Sequence, residues 1–322
     1  MKVSKKKLRV KRTLILLIIS ISILLTLQWA FSRLFSTILK DIRIFKQDND
    51  STTFISEKEQ LILNQYNTML KENKDGIEII KFINKNIDIF SKNNAGKLLT
   101  SYEEYQTSKL DSINKYLKSE NNINILSSEV GKDPTENKIK SLSNPNLKDY
   151  LKPLYESGYR IIYSNSTYAC VVNYKFYESY NDKINSDIRD YFTLMNNDQN
   201  ISNTLQNSDK INWNDISNLL LKIDNQLNKN RNSDKDKKVK EMYSEYIRLY
   251  TLGSSRFPTF DKNNILLKEV QSSYESVIEN NKDSRLSDTL KGLIDILSEN
   301  NYALNNQVED YVLSAIRDIL QQ

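Results

Sequence analysis

Histidine is absent from all 322 residues. That removes the commonest general base near neutral pH and the commonest transition-metal ligand together. A single cysteine, Cys170, excludes an intramolecular disulfide, and none follows the apolar N-terminal run as a lipid-attachment site. Only 6 Gly and 4 Pro occur, too few for a fold built from many tight turns, whereas Leu, Ile, Lys, Glu and Gln recur at helical spacing. No G-x-G-x-x-G is present, and Gly131-Lys132-Asp133 lacks the preceding glycine and following hydroxyl of a phosphate loop. Asp48-Asn49-Asp50-Ser51-Thr52 lacks the glycine and glutamate of a calcium loop. Neither a metal nor a cofactor is expected.

With 39% hydrophobic and 27% charged residues, the balance is that of folded protein rather than a disordered chain. The formal charge of +5 suggests nucleic acid until its distribution is considered. Residues 1–12 hold seven basic groups (Lys2, Lys5, Lys6, Lys7, Arg9, Lys11 and Arg12) and no acid, so the remainder is slightly acidic on balance. A nucleic-acid partner loses its electrostatic basis.

Residues 13–31, TLILLIISISILLTLQWAF, run for 19 positions without a charge. As a helix they rise about 28 Å, the depth of a bilayer's hydrocarbon core. The basic cluster before them and the single Arg33 after them place the N-terminus in the cytoplasm and the bulk of the chain outside, with Trp29 and Phe31 at the outer interface. A cleaved secretory signal is the competing reading, since Ala30-Phe31-Ser32 has cleavage-like spacing; it leaves the bulk outside as well. An apolar stripe, Leu34, Phe35, Ile38, Leu39, Ile42 and Phe45, continues past the exit and suits the lipid surface, a partner helix or the protein's own domain.

The expected fold is mainly α: an N-terminal transmembrane helix, a helical bundle, then repeat-like helical hairpins with one small β-hairpin. A cytoplasmic head (1–12) and span (13–31) lead into an N-terminal extracytoplasmic helical region (32–146) and a C-terminal helical domain (147–322). Helices are expected from Ser56-Glu57-Lys58-Glu59, after Gly76, and from Ser101-Tyr102-Glu103-Glu104 to about Lys118, as an antiparallel bundle. Residues 119–146, rich in Asn, Ser and Lys, mark the domain boundary. Tyr159-Arg160-Ile161-Ile162-Tyr163 and Tyr168-Ala169-Cys170-Val171-Val172-Asn173-Tyr174 read as a β-hairpin near 159–174. Further on, Asn228-Lys229-Asn230-Arg231-Asn232-Ser233 is answered 51 residues later, at Ser284, by Glu279-Asn280-Asn281-Lys282-Asp283-Ser284. Leu219, Ile223 and Leu227 then match Val270, Tyr274 and Ile278, while Val239, Met242 and Tyr246 match Leu290, Leu293 and Leu297. Stacked αα-hairpins closed by a last helix over 308–320 follow.

Five runs, Asn173-Tyr174-Lys175-Phe176, Ile188-Arg189-Asp190-Tyr191-Phe192, Trp213-Asn214-Asp215-Ile216, Tyr250-Thr251-Leu252-Gly253 and Phe257-Pro258-Thr259-Phe260-Asp261, carry a resemblance. From Leu147 to the C-terminus the chain resembles a group of membrane-anchored extracytoplasmic proteins of Gram-positive, Firmicutes-type bacteria. The resemblance implies location and fold, and assigns no catalytic residue.

For chemistry, Ser112-Ile113-Asn114-Lys115 has the S-x-x-K form of penicillin-interacting serine enzymes, without a K-T-G or K-S-G triad. The pairs Glu103 and Glu104, Asp187 and Asp190, and Glu309 and Asp310 suit helix starts or polar faces, where carboxylates are solvated. Cys170 among Ala and Val reads as a buried apolar residue. Tyr159, Tyr163, Tyr168 and Tyr174 of the hairpin, with Arg256 and Phe257 of the loop after Gly253, form the candidate interaction surface. Each also has a packing role open to it, between hairpin and helices or in a connector. The function expected is a membrane-anchored interaction or scaffold protein of the cell envelope. Its partners are the lipid bilayer through residues 13–31 and an envelope protein or wall component. The alternative is a membrane-tethered enzyme acting on cell-wall material.

Overall fold

The computed structural model describes residues 57–164, 166–229 and 234–321. The basic head, the span at 13–31, the stripe at 34–45 and Asp48–Thr52 lie outside them. Among the described residues no helix is long and apolar enough to cross a membrane.

The architecture is mainly helical with one two-stranded antiparallel hairpin. In order come α1 (Glu57–Lys71), α2 (Gly76–Asn86), a 3-10 turn (Ile87–Ile89), α3 (Lys92–Leu117), α4 (Glu120–Glu129), α5 (Glu136–Lys140) and α6 (Pro145–Glu156). The hairpin β1 (Tyr159–Ser164) and β2 (Thr167–Val172) follows, then a 3-10 segment (Tyr174–Tyr180) and α7 (Ser186–Asn207). The chain continues through α8 (Trp213–Lys229), α9 (Asp234–Leu252), α10 (Lys268–Asn280), α11 (Arg285–Glu299) and α12 (Asn306–Gln321). Side-chain caps set the starts: Ser91 accepts from the Asn94 amide, Asn144 from Leu147 with Pro145 at the first helical position, and Ser284 from Ser287.

Two boundaries differ from the sequence expectation. The third helix begins at Lys92 rather than near Ser101, although it contains Gly96. A Cβ at Gly96 would lie 3.0 Å from Ile188 Cγ1, so glycine here permits close approach of α7 and is not a break. Residues 119–146 are not a divide between two cores. Leu126, Val130, Ile139 and Leu142 share one buried cluster with Ile113 and Leu117 of α3, Leu147 and Leu151 of α6, and the hairpin. Residues 58–322 form a single compact unit.

The hairpin pairs Tyr159 with Val172, Ile161 with Cys170 and Tyr163 with Tyr168, which places these six on one face. Five of them are buried; Tyr163 is partly so. A two-stranded sheet leaves backbone groups of β2 unpaired. Asn114 of α3 supplies them, its Oδ1 accepting from the Cys170 amide at 2.6 Å and its Nδ2 donating to the Cys170 carbonyl at 3.2 Å. Gln199 of α7 does the same one step on, donating to the Val172 carbonyl at 2.6 Å and accepting from the Tyr174 amide at 3.3 Å. Asn114→Ala orphans both Cys170 backbone groups, and a loss of about 1–3 kcal/mol in urea-unfolding stability is expected.

In the C-terminal part the 51-residue correspondence falls on two helical hairpins, α8–α9 and α10–α11. Of the twelve matched apolar positions all but Ile278 are buried. The hairpins pack through α8 against α10 and α11, and α12 closes them against α9 and α11. Buried Asp224 of α8 accepts from the Arg285 amide at 2.8 Å, so one hairpin caps a helix of the other.

Candidate functional site

The connections 208–212, 253–267 and 300–305 come together: Arg256 donates to the Ser208 carbonyl, and Leu266 N–H to the Tyr302 carbonyl. They carry irregular backbone, which is where binding residues are usually borne on a rigid scaffold. The connection 253–267 is long for a loop without regular structure, yet it is tied down throughout.

Its course starts at Gly253, whose φ of +71° and close return strand admit no side chain: a Cβ would lie 2.6 Å from the Thr259 amide nitrogen. Ser254 N–H donates to the Phe257 carbonyl at 2.9 Å, and the Thr259 hydroxyl to the Thr251 carbonyl at 3.2 Å. Asp261 Oδ1 accepts from the amides of Asn263 and Ile265 at 2.8 and 2.9 Å, an Asx turn. Leu266 N–H donates to the Tyr302 carbonyl and Leu304 N–H to Asn264, which joins this loop to 300–305. Asn301 and Tyr302 are both left-handed, with φ of 52° and 59°. Two adjacent non-glycine residues in that region cost free energy that the surrounding bonds offset.

Arg256 fastens the loop to the end of α7. Its guanidinium donates to the Gln206 carbonyl at 3.3 Å, the Ser208 carbonyl at 2.9 Å and the Asp209 carboxylate at 3.3 Å, and lies 5.3 Å from the centre of the Phe257 ring. These carbonyls are the ones a helix C-terminus leaves unpaired. Because Arg256 is half exposed, Arg256→Ala is expected to cost only about 1 kcal/mol in overall stability. It should nevertheless speed amide exchange at 204–209 while leaving the β-hairpin unchanged.

Between loops 208–212 and 253–267 lies an open groove of about 560 Å³. Trp213, Phe257, Pro258 and Leu267 give it apolar lining, and Lys210 and Glu269 add one charge of each sign to the paired Arg256 and Asp209. Among the described residues neither Lys210 nor Glu269 has an ion-pair partner. Such a mixed lining suits a polypeptide or a polar polymer better than a purely apolar ligand.

The residues singled out from sequence thus separate into two regions. Arg256 and Phe257 line the groove, Arg256 exposed and Phe257 buried in its floor. Tyr159, Tyr168 and Tyr174 lie in the interior, with hydroxyls donating to the Gln106 carbonyl at 3.2 Å, the Gly131 carbonyl at 2.8 Å and the Glu103 carboxylate. Tyr163 stands edge-on to Tyr168, ring centres 5.1 Å apart, at the partly open side. The hairpin tyrosines therefore pack against helices and are not displayed as a face. Ser112 and Lys115 are both exposed on α3, with the Ser112 hydroxyl donating to the Lys109 carbonyl. No enclosed Ser-Lys pair forms. Cys170 is buried, and its desolvated thiol is pushed up to about 12. Among the described residues no cluster of three or more His, Cys, Asp or Glu side chains is placed to hold a metal.

One polar cluster was not anticipated. Glu103 is only 4% exposed, not solvated at a helix start, because α3 begins eleven residues earlier and carries it on the buried side. Its Oε1 accepts from the hydroxyls of Tyr174 and, at 2.8 Å, Tyr191. Lys238 Nζ lies 3.3 Å from the same oxygen and 2.5 Å from the Tyr174 hydroxyl. Burial, then the neighbouring Glu103 charge, pushes both phenols far above their ordinary range. Beside them Gln106 accepts from the Tyr177 hydroxyl at 2.5 Å and donates to the Ser157 carbonyl at 2.8 Å. The cluster joins α3, the 3-10 segment, α7 and α9 across up to 135 residues of sequence.

Compared with family models, with curated proteins and with solved structures, the chain matches none.

Proposed function

We propose that this chain is a membrane-anchored extracytoplasmic protein of the cell envelope that binds an envelope protein or wall component at the loop end of its helical hairpins. The observation that carries the reading is the groove between loops 208–212 and 253–267, with a long loop bonded into one conformation along its wall. A preordered loop loses little conformational entropy on binding. Anchorage rests on the uncharged run at 13–31 and the basic residues preceding it, and on the resemblance to anchored extracytoplasmic proteins of Gram-positive bacteria. The lipid bilayer is then one partner and the ligand of the groove the other. Helical hairpins would serve as the rigid base that carries the loop end.

The test is photocrosslinking of the full chain in its host membrane. A crosslinking residue at Lys210, beside the groove, is compared with one at Lys282, in the turn at the far end of α10. A recurrent adduct from position 210 that is missing from position 282 is expected. Equal recovery from both positions, or none from either, contradicts the reading.

A further inference from the structure

Most polar groups that line the groove are partnered within the protein, and those left over share one character. Asp209 and Arg256 pair with each other. Asn212 Oδ1 accepts from the Asn214 amide at 3.1 Å, and Asn214 Oδ1 from the Ser273 hydroxyl at 2.9 Å. Among the described residues, nothing accepts from the side-chain N–H groups of Asn212 and Asn214, from the Lys210 ammonium or from the Trp213 indole N–H. The first three side chains are exposed and meet water. Trp213 is only 5% exposed, its ring 6.2 Å from that of Tyr250. An N–H buried without an acceptor is uncommon in folded protein, because it forfeits its bond to water.

The spare groups are thus donors, with the Glu269 carboxylate unpaired beside them. A sugar hydroxyl both donates and accepts, and a sugar ring binds on an exposed aromatic face. Here acceptors are scarce and both rings, Trp213 and Phe257, are buried. A peptide backbone instead offers a carbonyl acceptor at every residue, and its side chains can alternate apolar with charged as the lining does. On the reading that the groove is the binding site, we propose that its ligand is an extended peptide segment. A backbone carbonyl of that segment accepts from the Trp213 indole N–H, and its apolar side chains lie on Phe257, Pro258 and Leu267. An acidic side chain meets Lys210 and a basic one meets Glu269.

The chain has two tryptophans, Trp29 and Trp213. The full chain with Trp29→Phe and nitrogen-15 tryptophan, held in phospholipid nanodiscs, therefore gives a single indole N–H signal in NMR, that of Trp213. The peptide probe is a pool of acetyl-Ser-Asp-X-X-X-Lys-Ser-amide, X being Leu, Val or Phe. A neutral pool carries Asn and Gln in place of Asp and Lys, and the glycan probe is the N-acetylglucosamine tetramer. The Trp213 signal is expected to move downfield and saturate with the charged pool, to respond to the neutral pool with about tenfold weaker affinity, and to stay fixed with the glycan. Lys210→Glu and Glu269→Lys, both at exposed positions, should each weaken the charged pool about tenfold and leave the neutral pool unchanged. Movement with the glycan but with neither pool, equal affinity for the two pools, or a signal that stays fixed with every probe overturns the proposal. None of these outcomes bears on whether the groove is the binding site, which the adducts at positions 210 and 282 decide separately.

Discussion

Replacing Glu103 by alanine is expected to cost about 3–5 kcal/mol of unfolding free energy, the range for removing one partner from a buried charged cluster. The size follows from what is left behind. Tyr174 and Tyr191 are buried and lose the acceptor of their hydroxyls, while a glutamate-sized gap opens beneath them. Lys238 contributes less, because it is 47% exposed and its ammonium can turn to water. Glu103→Gln keeps the volume and an acceptor oxygen, so it should lose markedly less than the alanine variant. Urea titration of both variants checks this, and an alanine variant within about 0.5 kcal/mol of the parent would show that the cluster contributes little to stability.

Lys235→Met is expected to stabilise the protein near neutral pH by about 2–3 kcal/mol, since methionine retains the apolar stem and removes a buried charge. The sign follows from proton uptake. The amine has an ordinary pKa of 10.5 when unfolded and about 8 when folded, so between these values the unfolded chain binds more protons. Stability therefore rises with pH across that window. The penalty is fully present below about pH 8 and disappears as pH passes 10.5. The advantage of the methionine variant should shrink over the same interval. Comparing the two proteins at each pH cancels titration of the tyrosines, which both share. A constant difference from pH 7 to pH 11 would mean that the lysine's charge is not the cause.

What sequence made visible, and what it hid, divides by the reach of the interactions. Ser56-Glu57-Lys58-Glu59 announced a helix because a capping box acts over three residues, and α1 is described from Glu57. The correspondence between Ser233 and Ser284 anticipates two hairpins because helix periodicity repeats within each. The β-hairpin was legible from its run of branched and aromatic residues. The start of α3 at Lys92 was missed, and its Gly96 lies against Ile188 of α7, a contact that no local signal shows. Residues 119–146 read as short helix and loop at a domain boundary because Leu126, Val130, Ile139 and Leu142 are separated by polar positions, and their common cluster forms only in three dimensions.

Glu103 was hidden for the same reason, its partners lying 71, 88 and 135 residues away. One local signal existed. Glu103 and Gln106 stand on the stripe of α3 that includes Leu99, Tyr102 and Ile113, where a polar residue must find a buried partner. Arg256 and Phe257 were singled out from sequence, but the groove they line also takes in Trp213 and Leu267, which only the folded chain brings together.

The proposed role requires the loop end to face the outside of the membrane and to be open to solvent. Labelling of intact cells with a membrane-impermeant maleimide tests both at once, using the full chain with Lys210→Cys. The native thiol does not interfere, because Cys170 is buried and protonated at neutral pH. The account predicts labelling of the Lys210→Cys chain in intact cells, and labelling of a Lys5→Cys chain only after lysis. Labelling of position 210 only after lysis would contradict it.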